Sequence, residues 1–450
     1  MKNILKVGYS KVNVNPPMGI DVSGYYKERK ADGILDDIEA VAMAVSLNDT
    51  KVLLITIDNC GCPNDFAEAV RTRVCLKTGV PQDAILIHAT HTHTGPQIGL
   101  KSDNSLVYNY TAFLVDRLVD VATFAIEDLK PAKMGYAVSK APNISFVRRF
   151  KMKDGSFKTN PGVNNPDILE PVGEIDDSVN VLRFDREGAE TIVLANFGDH
   201  PDTVGGNKIS GDWPTLTRNQ VEKSIDNTKC IFLNGAQGDI NHVNVHPKGG
   251  DLNGMFLDFD DVSRGYPHAI HMARVVAGAV MQVYEKVHYV EVDSLNYSLK
   301  AVDFYTNKET DPEKLKLAHK YNDLHKAGKD DEIPYKAMML TTVVAEAARM
   351  VALENAPETS PMLLTAISIG NVAFIGIPGE PFNEIGKGLK TAEGWDMVLP
   401  CCLTGGGNGY FPMSDSYDQG GYEGRSSRWK RGTGERIVEE GKKLLSELKK

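Results

Sequence analysis

The feature that most constrains this chain is a set of unbroken apolar runs. They are KVLLITID at 51–58, AILIHAT at 84–90, TIVLANFG at 191–198, CIFLNGA at 230–236, MLLTAISIG at 362–370 and VAFIGIPG at 372–379. A strand with one wet face alternates polar and apolar residues, so continuous runs predict strands covered on both faces. Stretches with apolar residues at helical spacing lie between them. DFAEAVRTRVCLKTG at 65–79 ends in a glycine, as a helix C-terminus does. Helices are also expected within 110–130, 267–287 and 334–356, and an amphipathic one closes the chain over 434–450. Strands alternating with helices indicate an α/β fold, a layered sheet flanked by α-helices. The segment around 285–305 alternates polar and apolar, so one antiparallel strand is expected and the sheet is mixed. The charged stretch 306–332 reads as a solvated helical insertion. No repeat, low-complexity linker or boundary divides the chain, and one domain over 1–450 is expected.

Composition narrows the function classes. The 450 residues carry 60 acidic and 50 basic side chains, a formal net charge of −10, without a long basic run, which argues against nucleic-acid binding. No window offers about 18 uninterrupted apolar residues, so no stable membrane insertion is expected. The opening MKNILKVGYSKVNVNPPMG is too polar for a signal peptide. Six cysteines without CxxC spacing make no disulfide framework, and a reduced, cytoplasmic protein is expected.

Ligands in open α/β sheets collect beyond the carboxyl ends of strands. Five apolar runs end there in chemically capable residues. AILI runs into HATHTHTGP with His88, His91 and His93. TIVLANFG runs into Asp199 and His200, and CIFLNGA into Gln237, Asp239, Asn241 and His242. VAFIGIPG ends at Glu380, and MVLP leads through Gly405–Gly407 to Tyr410. On a strand, His91 and His93 point one way with attachment points about 6.6 Å apart, and His88 points the other. A shared metal and plain packing are both open for the HxH pair; His88 reads as a structural histidine. Asp199 is placed to partner His200, as carboxylates do for metal-bound histidines. Glu380 is either turned inward or a helix N-terminal acid. Asp239 reads as a turn-former, His242, His246, His268 and His271 as loop or helix residues, and the glycines as room for the backbone to pass near a metal.

Several of these pieces together resemble one family. THTHTGP, NFGDHP, GIPGEPF and NGYFPMSDSYDQGGYEG, with VGYSKVNVNPPMG and ISGDWP, are similar to motifs of the neutral/alkaline non-lysosomal ceramidases, from about residue 7 to residue 426. The tyrosine pair Tyr410 and Tyr422, 12 residues apart, is the most specific element. The resemblance implies a Zn2+-dependent amide hydrolase with His91, His200, Glu380 and Tyr410 as metal ligands. It implies His93 and Tyr422 as catalytic residues, and an arginine of NISFVRRF, Arg148 ahead of Arg149, lining the site.

The chain also departs from the pattern. Where the ceramidase run after NGA reaches a serine, NGAQGDINHVN places Asn241. A divergent member is therefore expected, without the serine motif, the secretory signal or the C-terminal immunoglobulin-like domain. Asn241 and Arg149 become candidates for binding a polar substrate. The expected reaction is zinc-assisted hydrolysis of an amide in a small polar or amphiphilic molecule other than ceramide. A zinc hydrolase or lyase of esters, lactones or sugar derivatives is the alternative, and a catalytically silent metal-binding scaffold is a third. A small-molecule substrate is the expected partner, and homo-oligomer formation is left open.

Overall fold

A computed structural model describes residues 4–258 and 262–449. Nine strands form the larger sheet. Eight lie in the spatial order Thr228–Asn234, Thr191–Phe197, Ser178–Arg186, Lys130–Lys140, Leu5–Asn13, Glu39–Leu47, Thr50–Ile57, Ile85–Ala89. His288–Val290 adds to the side of Lys130–Lys140. The two outermost pairs are parallel and the inner ones antiparallel, so the sheet is mixed, as the sequence implied. A second, four-stranded sheet runs Leu295–Tyr305, Thr359–Ile369, Val372–Gly376, Met397–Cys401, with its last pair parallel. A bridge between His88 and Thr404 ties the two sheets together.

Parallel neighbours need a crossover, and helices supply it. Asn64–Thr78 links Thr50–Ile57 to Ile85–Ala89 and ends at Gly79 with φ 75°, the left-handed cap its glycine permits. Asp212–Ser224 links Thr191–Phe197 to Thr228–Asn234, and Asn383–Lys390 links Val372–Gly376 to Met397–Cys401. The strands of these units are buried on both faces, which explains their unbroken apolar runs. The long helices Ser105–Glu127 and Tyr266–Tyr284 pack over the larger sheet. The segment around 285–305 divides between the sheets: His288–Val290 joins the larger and Leu295–Tyr305 the smaller. The charged insertion is helical over Pro312–Lys326, and Ala337–Leu353 packs against it. No helix among the described residues is long and apolar enough to cross a membrane.

Candidate metal centre

All three strand–helix–strand units send residues to one point beyond the carboxyl ends of their strands. Strand geometry stops at Ala89, and His91 lies in the left-handed region at φ 78°. A residue with a Cβ adopts that conformation only where its surroundings hold it. Here the Thr90 and His91 amides donate to the Ile57 and Asn59 carbonyls at 2.9 Å, and the His93 amide to the Pro201 carbonyl at 3.0 Å. The expectation that strand alternation aligns His91 with His93 is therefore corrected. A turn brings them together, with Nε2 atoms 3.2 Å apart.

His200, in the loop after Thr191–Phe197, brings its Nε2 to 3.1 Å from that of His91. Glu380, after Val372–Gly376, places Oε2 at 3.2 Å from His91 Nε2 and 3.9 Å from His200 Nε2. Glu380 pairs with Tyr410 in a two-residue parallel ladder, and the Tyr410 ring lies nearly parallel to that of His200, with centroids 6.5 Å apart.

Do these residues fit a metal? Ligand atoms of His91, His200 and Glu380 lie within 4.8 Å of one another. Neighbouring ligands about 2.1 Å from a tetrahedral zinc stand about 3.4 Å apart, so the spacing fits. His91 Nδ1 is 2.6 Å from the Cys60 carbonyl and His200 Nδ1 is 3.3 Å from that of Gln237. A carbonyl only accepts, so each Nδ1 carries a proton and each Nε2 is turned to the common centre. Glu380 Oε2 is buried without a hydrogen-bond donor among the described residues. Burial opposes charge on both His91 and Glu380, yet each holds the other: the His91 pKa is raised well above its usual value and Glu380 falls to about 2. The carboxylate thus stabilises a cation at this point, a proton on His91 or a metal in its place. Burial, with Arg148 and His91 nearby, lowers His200 to about 3 and keeps it neutral. Asp199 does not orient His200 as expected; it accepts from Ser145 Oγ at 3.1 Å, and the Gln237 carbonyl takes the orienting role.

His93 completes the cluster of rings. Burial and the neighbouring His91 and His200 push its pKa well down, and its buried Nδ1 has no partner among the described residues. The Tyr25 ring meets His93 edge-on at 4.9 Å, and the guanidinium groups of Arg29 and Arg264 each lie over it 4.4 Å from its centroid. Gly24, at φ 110°, permits this approach, because a Cβ there would sit 2.7 Å from His93 Cα.

Arg148 reaches the site from beside the short strand Arg149–Met152. Its Nε donates to Glu423 at 2.7 Å and its Nη2 to the Gly238 carbonyl at 2.7 Å, while its guanidinium lies 5.3 Å from the Tyr410 centroid. Burial and Glu380 raise the Tyr410 phenol well above its usual pKa, and Arg148 opposes them. Tyr422 packs edge-on against Tyr410 at 5.4 Å, and burial raises its pKa as well. His93, Arg148, Asn160, His200, Tyr410 and Tyr422 all line a cavity of about 60 Å³.

The two residues expected to bind substrate lie elsewhere. Arg149 stacks on Phe382 at 5.1 Å and bonds Gln419, away from the cavity. Asn241 is fully buried; it accepts from the Val243 amide at 3.0 Å and donates to Asn160 at 3.2 Å, so it reaches the cavity wall only through Asn160. His88 is structural, held by Thr56 at 2.8 Å and by the Asn234 amide at 3.0 Å. Asp239 accepts from the Asn383 amide at the start of helix Asn383–Lys390. The glycines pass Arg71 and Pro378 rather than the metal residues: a Cβ at Gly405 would meet Arg71, and one at Gly406 would meet Pro378. Reading the sequence missed Glu423, Asp202, Tyr25, Tyr26 and Arg264. Glu423, next to Tyr422, was the most accessible of these, but its partner Arg148 lies 275 residues away.

No family model matches the sequence, and no curated protein matches it either. Solved structures do. The neutral ceramidase of Pseudomonas aeruginosa superposes with a TM-score of 0.73 at 15% identity, over 99% of this chain and 74% of that one. A ceramidase complexed with C2 gives 0.71 at 15% identity, over 100% of this chain and 76% of its own. Nearly the whole chain is therefore similar in structure to neutral ceramidase and is built on its fold.

Proposed function

We propose that the protein is a zinc-dependent hydrolase that cleaves an amide bond in a small polar or amphiphilic substrate, with water as the nucleophile. The observation that carries this reading is the convergence of His91, His200 and Glu380 on one point, beside a cavity lined by His93, His200, Tyr410 and Tyr422. His91, His200, Glu380 and Tyr410 would hold the ion. When bound, zinc lowers the pKa of a coordinated water from about 15.7 towards 7. The protein's own groups manage charge and protons. Neutral His93 accepts a proton at one ring nitrogen and gives one at the other, so it can hand a proton to the departing amine as the C–N bond breaks. Tyr422 stays protonated and donates to the oxygen that gains charge, a contribution of about 3–4 kcal/mol per donor. Arg148, fixed by Glu423 and the Gly238 carbonyl, remains cationic and turned to Tyr410. Asn241 offers no nucleophile, which agrees with attack by water.

The solved neighbours are named ceramidases; the amide bond as the point of cleavage is carried over from them, and the rest of their substrate is not. The test is release of primary amine from a panel of amides by zinc-loaded protein, with His91→Ala as control. Loss of both bound zinc and amine release in the variant is expected. Zinc retained at full stoichiometry sinks the ligand assignment, and release of alcohol from esters without any amine from amides favours the ester reading.

A further inference from the structure

The cavity at the histidines adjoins a larger chamber of about 440 Å³; Thr159, Asn160, Met338 and Tyr422 line both. Small-molecule sites span roughly 300–1,000 Å³. The inner cavity, at about 60 Å³, thus has room for little beyond the reacting group. The adjoining chamber is the nearest space with room for the rest of a substrate. Phe157, Pro161, Met338 and Met339 give that chamber apolar walls, and methionines adapt to varied shapes.

Its charge is one-sided. Lys158, Lys336 and Arg425 line it, with no aspartate or glutamate among the lining residues, in a chain of net charge −10. Arg425 is bridged to Glu346 at 2.9 Å. The two lysines, both exposed, form the cationic excess. Lys336 immediately precedes helix Ala337–Leu353, whose first turn has neither a side-chain cap nor an acidic residue, so the positive helix end adds the same sign. At the inner end stands His93 with its buried, unpartnered Nδ1.

We propose that the outer chamber binds the remote limb of an amphiphilic amide and that this limb bears an anionic group. The proposal rests on the hydrolase reading of the inner site. Two exposed lysines favour an anion by about five- to tenfold at low salt, and screening removes the preference.

The test uses matched probes. N-octanoylglycine is paired with N-octanoylethanolamine, placing a carboxylate or a hydroxyl on the amine limb. A dicarboxylic acid monoamide is paired with its methyl ester, placing the anion on the acyl limb. The phosphate ester of N-octanoylethanolamine tells phosphate from carboxylate. Affinities come from calorimetry on the His91→Ala protein, which reads the chamber without turnover, and kcat/KM from zinc-loaded wild type. One pair should favour its anion about fivefold or more, with the ratio falling towards one in Lys158→Gln/Lys336→Gln and in high salt. Equal binding within both pairs, or a preference that survives the double substitution, overturns the proposal. A binding preference without amine release from any probe sinks the hydrolase reading and leaves the chamber's selectivity standing.

Discussion

Tyr410 and Tyr422 end in the same phenol, and their surroundings give them different tasks. Tyr410 pairs in register with Glu380 and lies beside Arg148, which puts it with the proposed ligands. Tyr422 lines both the inner cavity and the outer chamber, and its pKa is raised, so it is a neutral donor where a substrate carbonyl would pass. Tyr422→Phe should therefore lower kcat by about 10²- to 10³-fold with zinc content unchanged, checked by steady-state kinetics beside elemental analysis. Unchanged kcat would move Tyr422 out of the chemistry. At this scale the sequence was legible where one short motif carries the chemistry. The THTH run named His91 and His93 even though the turn that joins them, with His91 at φ 78°, was hidden. It was illegible where a role depends on a distant partner. Nothing local separates Arg148, held by Glu423 and Gly238, from Arg149, stacked on Phe382.

At the scale of elements, the site is a product of backbone packing. Gly238 lies against the carbonyls of Glu380 and Pro381, and a Cβ there would stand 2.6 Å from the Glu380 oxygen. Gly238→Ala must push that loop away and drag the Glu380 carboxylate off His91. Zinc affinity should fall by about 10- to 100-fold, as when supports of a ligand are lost. A chelator competition titration checks this; an unchanged affinity would show that the loop gives way without moving the carboxylate. The strands that carry the site were readable, because burial on both faces leaves an unbroken apolar run. Lys130–Lys140 and Ser178–Arg186 were not singled out, because both mix polar and charged residues with apolar ones, and the first is only partly buried. Glu39–Leu47 is almost wholly buried but alanine-rich, and alanine favours helices.

At the scale of the whole molecule, the candidate ligands come from both sheets. His91 and His200 follow strands of the larger sheet, Glu380 and Tyr410 strands of the smaller. An ion held by all four would bind only the folded chain, and at a free concentration 100 times its dissociation constant would add about 2.7 kcal/mol of stability. Chelation should lower Tm and added zinc should restore it, read by calorimetry; a Tm indifferent to both would mean that no ion joins the sheets. The layered α/β character followed from apolar runs alternating with helical stretches. The division into two sheets did not, because which strand pairs with which is fixed by contacts far apart in sequence, such as the His88–Thr404 bridge. The mutual grip of His91 and Glu380 has a last consequence. Loading of an ion there would be an exchange, with a proton leaving His91 for the solvent as the metal arrives, so acidity would compete with the metal for its seat.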